Sequence, residues 1–244
     1  MNKNSNTYQI VYSAIMVVLV GAALAFVYMA LKPKQDENIA NDKRQQILSA
    51  VHITAPSDKE VKNTFEKYIT EDFIVNEKGE VVDSTKGSAF TVDMKSNIKL
   101  TGANRKLPVF KCTLDNGEIK YIFPVFGAGL WGAIWGYVAV NADGSNVYGA
   151  YFSHESETPG LGAEIAKQPF QDQFKGKALY KDGQFKSIDV LKAGQKNTDG
   201  ADYVNAISGG TITSRGVQAM LKNCLSLYDA YFKKLQSETT NNKN

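Results

Sequence analysis

The sequence predicts an α+β protein, with a single N-terminal transmembrane helix followed by a strand-rich domain with a C-terminal helix. Three observations predict it. Ile10–Leu31 is an apolar run of 22 residues without a charged side chain, and as a helix it is about 33 Å long, enough to cross a bilayer once. From Phe73 to Ile122 β-branched and aromatic residues alternate, the pattern of half-buried strands. Val217, Met220, Leu221, Cys224, Leu225, Tyr228, Tyr231 and Phe232 recur at helical spacing near the end.

Composition narrows the function classes. Among 244 residues, 28 Lys and Arg face 25 Asp and Glu, so the formal charge of +3 gives no electrostatic preference for nucleic acid or another polyanion. A hydrophobic content of 43% with 12 Tyr, 12 Phe and 20 Gly is that of a folded, strand-rich body. Two Cys and two His exclude a disulfide framework, and their spacing gives no zinc site.

The apolar run exceeds the roughly 7–15 residues of a signal-peptide core, so it reads as an uncleaved anchor. Tyr8 and Tyr28 stand near its ends, where amphipathic rings favour the interface. Lys32, Lys34, Lys43 and Arg44 follow the span while Lys3 precedes it. Charge counting would hold the domain inside, yet long domains translocate regardless of such charges, so the rule does not decide orientation. With no ionisable side chain, the span offers no ion relay of its own.

Residues 1–33 are read as the N-terminal segment and anchor, 34–56 as a membrane-proximal helix and linker, 57–237 as the domain and 238–244 as a disordered tail. After Pro33, Ile39, Ile47, Leu48 and Val51 among charges predict a short amphipathic helix. A second helix is expected over Ser57–Tyr68, with Ser57 as N-cap and Glu60 completing a capping box. Asp115-Asn116-Gly117 between two β-rich runs predicts a hairpin. Ile134–Val140 and Val147–Phe152 read as strands around the turn Asn141–Gly144, and Ser187–Leu191 as a further strand.

Three segments carry potential chemistry. Gly127-Ala128-Gly129-Leu130-Trp131-Gly132 fits the G-x-G-x-x-G pattern of dinucleotide sites, but a β-branched, aromatic run follows where that motif needs a helix, so it reads as a Gly-rich bend between strands. Glu157–Glu164 joins a proline turn to two glycines, suited to a tight loop and close ligand approach. Nearby His154 reads as a hydrogen-bonded structural residue, and His52 is uninformative. Ser208-Gly209-Gly210-Thr211-Ile212-Thr213-Ser214 is a hydroxyl-rich loop entering the last helix. It suits a phosphate at the helix start, or capping by Thr213 or Ser214.

Ser208–Thr213 resembles the flavinylation motif of the FMN-binding domain family. With the loop Glu157–Gly162, the stretch Gly129–Gly132 and the anchor followed by Asp42–Leu48, the chain is similar over nearly its whole length to the C subunits of sodium-translocating NADH:quinone oxidoreductases. It departs from that pattern at Asn205, where an acid is common, and at Gly210, where alanine is common; Asp202 lies close by.

The resemblance implies a covalent FMN, esterified through its phosphate to Thr213 by a separate flavin transferase that uses FAD. Ser208, Gly209, Gly210 and Thr211 would shape the loop and help hold the phosphate. Thr158, Gly160, Leu161 and Gly162, with Leu130 and Trp131 on another side, would line the isoalloxazine; a Lys or Arg near the pocket, Arg215 among them, would favour its reduced form, but sequence does not place these cations. It implies no catalytic residue and no metal in this chain. The resemblance further implies a non-catalytic, electron-carrying subunit that passes electrons from NADH toward quinone. It would sit among the other subunits of a respiratory complex in the bacterial inner membrane, its main domain extracytoplasmic. Two alternatives stand beside this reading. One is the flavin subunit of the related ferredoxin:NAD oxidoreductase complex. The other is a non-redox membrane-tethered binding module in which Thr213 is a helix cap.

Overall fold

The computed structural model of the chain describes residues 5–195 and 200–241. Its first element, α1 (Asn6–Ser49), is one helix of 44 residues. Large apolar side chains stand exposed on all its faces between Ile10 and Leu31, the signature of a helix made for an apolar medium. It is long and apolar enough to cross a membrane. The break expected at Pro33 does not occur: Pro33 lies inside α1, and the separate helix after it is the continuation of α1. Proline removes one N–H, but Ala30, Leu31, Lys32, Lys34 and Gln35 around it are strong helix formers. Lys32 and Asp36 also pair across that turn at 3.4 Å.

Two compact units divide at Lys43 and Arg44. The second begins with the end of α1, where Ile47 and Leu48 are fully buried. Helix α2 (Val61–Tyr68) starts later than expected. Ser57–Glu60 forms a turn closed by the Glu60 N–H on the Ser57 carbonyl at 3.0 Å, and Glu60 is an N-cap without a side-chain bond, so the capping box does not form.

The chain then builds β1 (Ile69–Val75), β2 (Val81–Asp83), the single turn α3 (Met94–Asn97), β3 (Leu107–Thr113), β4 (Ile119–Ala128), β5 (Ala133–Asn141) and β6 (Val147–His154). These strands form one six-stranded antiparallel sheet in the order β2-β1-β3-β4-β5-β6. The predicted Asp-Asn-Gly hairpin joins β3 to β4, with Thr113 opposite Ile119 and Gly117 at φ +82°. Beyond β6 come the short α4 (Gln168–Gln171), β7 (Tyr180–Lys181), β8 (Gln184–Phe185), β9 (Ile188–Leu191) and β10 (Asp202–Asn205). β7 pairs with β8 and β9 with β10.

The last apolar stripe folds as two helices, α5 (Thr211–Leu225) and α6 (Asp229–Asn241), joined by a 3-10 turn at Ser226–Tyr228. All eight stripe residues are buried. Of the tail expected at 238–244, residues 238–241 continue α6 and the remainder lies outside the described residues.

Both faces of the sheet are covered, because alternate residues feed two separate cores. Val109, Phe123, Val125 and Val138 pack with α5 and α6, whereas Phe110, Cys112, Ile122 and Ala139 pack with Ile47, Val51 and Phe65. The start of α5 lies directly on the end of β4: a Cβ at Gly216 would strike the Ala128 carbonyl. That contact fixes where α5 begins relative to the β4–β5 bend. At the centre of the larger core the Phe123 ring is fully buried, 4.8 Å from Tyr228 and 4.9 Å from Phe232 between centroids. Phe123→Ala should therefore lower unfolding stability by about 3–5 kcal/mol, read from the denaturant midpoint by circular dichroism.

Candidate functional site

Three loops, far apart in sequence, line one cleft. The first is the bend between β4 and β5, closed by the Gly129 N–H on the Gly132 carbonyl at 2.8 Å. It is the strand-to-strand turn that the sequence context predicts for this glycine cluster, and β5 follows it instead of a helix. The second follows β6: the Thr158 carbonyl accepts the N–H groups of Leu161 and Ala163, both at 3.1 Å, and Gly160 turns at φ +76°. The third is the turn before α5, where Gly209 has φ +74° and the Gly210 N–H bonds the Ile207 carbonyl at 3.0 Å.

Glu157 ties these loops together. It is only 4% exposed. Its Oε1 accepts the Trp131 N–H at 2.7 Å, and its Oε2 accepts the Thr213 hydroxyl. Its own N–H donates to His154 Nδ1 at 3.2 Å, which gives His154 the structural role expected of it. Burial works to raise the Glu157 pKa, but donation from the Thr213 hydroxyl and from the N–H groups of Trp131, Leu130 and Gly132 outweighs it. The carboxyl is held below its ordinary value. Gly162 makes this possible, since a Cβ there would collide with both the Glu157 carboxylate and the Thr213 hydroxyl.

Thr213 lies in the first turn of α5, which starts at Thr211, and not ahead of the helix as its position in the motif implied. Its side chain is 1% exposed. Neither candidate hydroxyl acts as a cap. The N-cap is Gly210, without a side-chain bond, and Ser214 Oγ accepts the Ile207 N–H at 3.0 Å. The first N–H groups of a helix have no acceptor within it, and the N-cap residue Gly210 brings no side-chain bond to them. An uncapped start of a 15-residue helix is a place for an anion.

The cleft has a volume of about 230 Å³ and is lined by Leu130, Trp131, Thr158, Leu161, Gly162, Gly209, Gly210, Thr211 and Thr213, together with Glu157 and Ile212. Sequence reasoning does not select those last two. Glu157 opens the proline-glycine loop as its first acid, the one signal that marks it; Ile212 is the unspecified position of the motif. Gly160 and the exposed Ser208 shape their turns without lining the cleft. Asp202 is committed elsewhere, accepting the Ala178 N–H at 2.7 Å, and Arg215 is exposed on α5. The volume is below the roughly 300 Å³ of a complete small-molecule pocket, so a larger ligand anchored here would extend over the rim. That rim is apolar: Leu130, Trp131, Leu161 and Ile212 are between 43% and 68% exposed.

A family model for the FMN-binding domain matches residues 129–226. The C subunit of the Na(+)-translocating NADH-quinone reductase of Vibrio alginolyticus is 33% identical over 207 residues, covering 78% of this chain and 78% of that protein. The chain belongs to this C-subunit family. The Yersinia pestis member is likewise 33% identical, over 83% of this chain and 80% of its own. Among solved structures, the family member from Parabacteroides distasonis is 45% identical with a TM-score of 0.76, covering 83% of this chain and 96% of that one. The Shewanella oneidensis NqrC structure is 28% identical with a TM-score of 0.67, over 81% and 98%. The matched FMN-binding region runs from the first loop of the cleft to just past the end of α5, and so contains all three loops.

Because the folded Glu157 pKa is depressed, the stability it contributes is fully present above its unfolded value of about 4.3 and is lost as pH falls below that. Denaturant titrations of the wild type and Glu157→Gln at a series of pH values should show the wild type ahead at neutral pH. The gap should close in acid.

Proposed function

We propose that the chain is a covalently flavinylated electron-transfer subunit of a sodium-pumping NADH:quinone reductase complex, with FMN joined by a phosphoester to Thr213. The observation that carries this reading is the Thr213 hydroxyl, buried in the first turn of a helix whose N-cap, Gly210, brings no side-chain bond, at the floor of a cleft with an apolar rim. FMN has a phosphate at one end and a flat, largely apolar ring system at the other, and the cleft offers a fitting environment to each. The N–H groups that open α5 would hold the phosphate. Gly209 and Gly210 would keep side chains clear of it; a Cβ on Gly209 would already strike Leu161 Cδ2 at 2.5 Å. Leu130, Trp131, Thr158 and Leu161 would flank the rings. Bound there, the flavin supplies the electron transfer, and the chain supplies position, potential and exposure.

The relatives from Vibrio alginolyticus and Yersinia pestis support the complex: each is the C subunit of a Na(+)-translocating NADH-quinone reductase. Such a chain works among partner subunits and needs a flavin transferase for maturation. The alternative of Thr213 as a mere helix cap loses its support, since Gly210 occupies the N-cap position and Thr213, inside the first turn, donates its hydroxyl to Glu157. The apolar part of α1 would anchor the protein in the bacterial inner membrane, with the domain on the extracytoplasmic side.

Coexpression with a flavin transferase should give a chain carrying FMN mass and fluorescing in a denaturing gel. Thr213→Ala should carry none, and Thr213→Ser should retain part of the signal because only a methyl is lost. The alanine variant should remain folded but lose about 1–3 kcal/mol, because the buried carboxylate loses a donor. FMN mass persisting on Thr213→Ala would move the acceptor elsewhere. Protease added to intact spheroplasts should digest the domain; protection there, with digestion only in inverted vesicles, would reverse the orientation.

A further inference from the structure

A threonine hydroxyl is a weak nucleophile, and an enzyme-like reaction at such a group needs a base within hydrogen-bond reach, itself held in place by a third group. That arrangement is present within this chain. Thr213 Oγ1 donates to Glu157 Oε2, and Glu157 Oε1 is fixed by the Trp131 N–H at 2.7 Å. The other basic side chain of the loop, His154, is occupied at Nδ1 by the Glu157 N–H. The donors that hold Glu157 keep it ionised, so the acceptor facing the Thr213 hydroxyl is a carboxylate able to take a proton.

We propose that Glu157 is the general base of this chain's own flavinylation, accepting the Thr213 proton as the hydroxyl becomes the phosphoester oxygen. The inference rests on the reading of Thr213 as the FMN acceptor. The co-substrate is a flavin dinucleotide delivered by the transferase. Thr213 Oγ bonds to the phosphorus on the flavin side of the pyrophosphate, and the bond from that phosphorus to the bridging oxygen breaks. Adenosine monophosphate leaves with the bond's electron pair. The threonine proton passes to Glu157 and from there to the leaving phosphate or solvent. Nothing is oxidised or reduced. The acceptor chain thus supplies a catalytic residue to a reaction otherwise carried by its modifying enzyme.

The test uses the full-length chain with a flavin transferase and FAD, following the initial rate of FMN-mass addition by intact mass and in-gel fluorescence. Glu157→Gln, shown folded by circular dichroism, should label about 100- to 10,000-fold more slowly than wild type, the range general-base catalysis spans. The ratio of wild-type to Glu157→Gln rates should fall as pH rises, because hydroxide replaces the missing base, while the transferase's own pH dependence cancels in the ratio. Charged and titratable groups on the surrounding elements are His154, Glu155, Glu164 and Arg215. Glu155 accepts the Ala133 N–H at 3.3 Å and Glu164 the Gly160 N–H at 3.1 Å. All four are retained in the variant and cancel too. Equal rates, or a slowed rate whose ratio is constant with pH, would overturn the base role. If Glu157→Gln does not fold, Glu157→Asp keeps the charge but shortens its reach by one methylene. It should label at least about tenfold more slowly, and a wild-type rate in it would overturn the proposal. Absence of FMN mass on the wild-type chain is a separate outcome, which overturns the acceptor reading and this inference with it.

Discussion

One buried carboxylate holds the site together. Glu157 reaches back 26 residues to the bend between β4 and β5 and forward 56 residues to the first turn of α5. A carboxylate out of water must be surrounded by donors, and here the donors come from two segments far from it in sequence. The requirement also works outward. Gly162 lacks a side chain because the Glu157–Thr213 pair fills the space a Cβ would take, and a Cβ on Gly129 would strike the other oxygen of the same carboxylate. Satisfying a single charge therefore dictates the shape of two loops and the position of a helix start.

The larger frame is legible in the sequence where periodicity carries it. The strands from β3 to β6, the Asp-Asn-Gly hairpin and the final apolar stripe follow from alternation and helical spacing, which report burial directly. Pro33 misleads because a local breaker is weighed against its neighbours, and those neighbours are helix formers. Ser57 misleads because a capping sequence needs the backbone to enter the helix at that residue, and here it enters at Val61. The stripe gives no sign of the 3-10 turn at Ser226–Tyr228, because the apolar spacing passes through it unchanged.

In the site, the glycines, the threonines and the aromatic rim are visible as motifs, since close approach and turn geometry leave marks in composition. Glu157 stands in the sequence only as the first residue of its loop, with no role attached. Its meaning lies in two hydrogen bonds to distant segments, and no local pattern encodes those. The same holds for Thr213: the motif places it at a helix entrance, but only the fold shows that its hydroxyl faces an acid instead of the helix end.

The two cysteines show what a sheet buried on both sides does for its thiols. Cys112 faces the core that holds Ile47, while Cys224 on α5 belongs to the other, its sulfur 3.4 Å from the Phe126 carbonyl. Burial pushes the Cys112 thiol up to about 12 and the Cys224 thiol up to about 11, so neither ionises readily to the reactive thiolate. With the sheet between them they cannot meet. The native domain thus carries no disulfide between its two cysteines, and its stability draws nothing from an oxidising compartment.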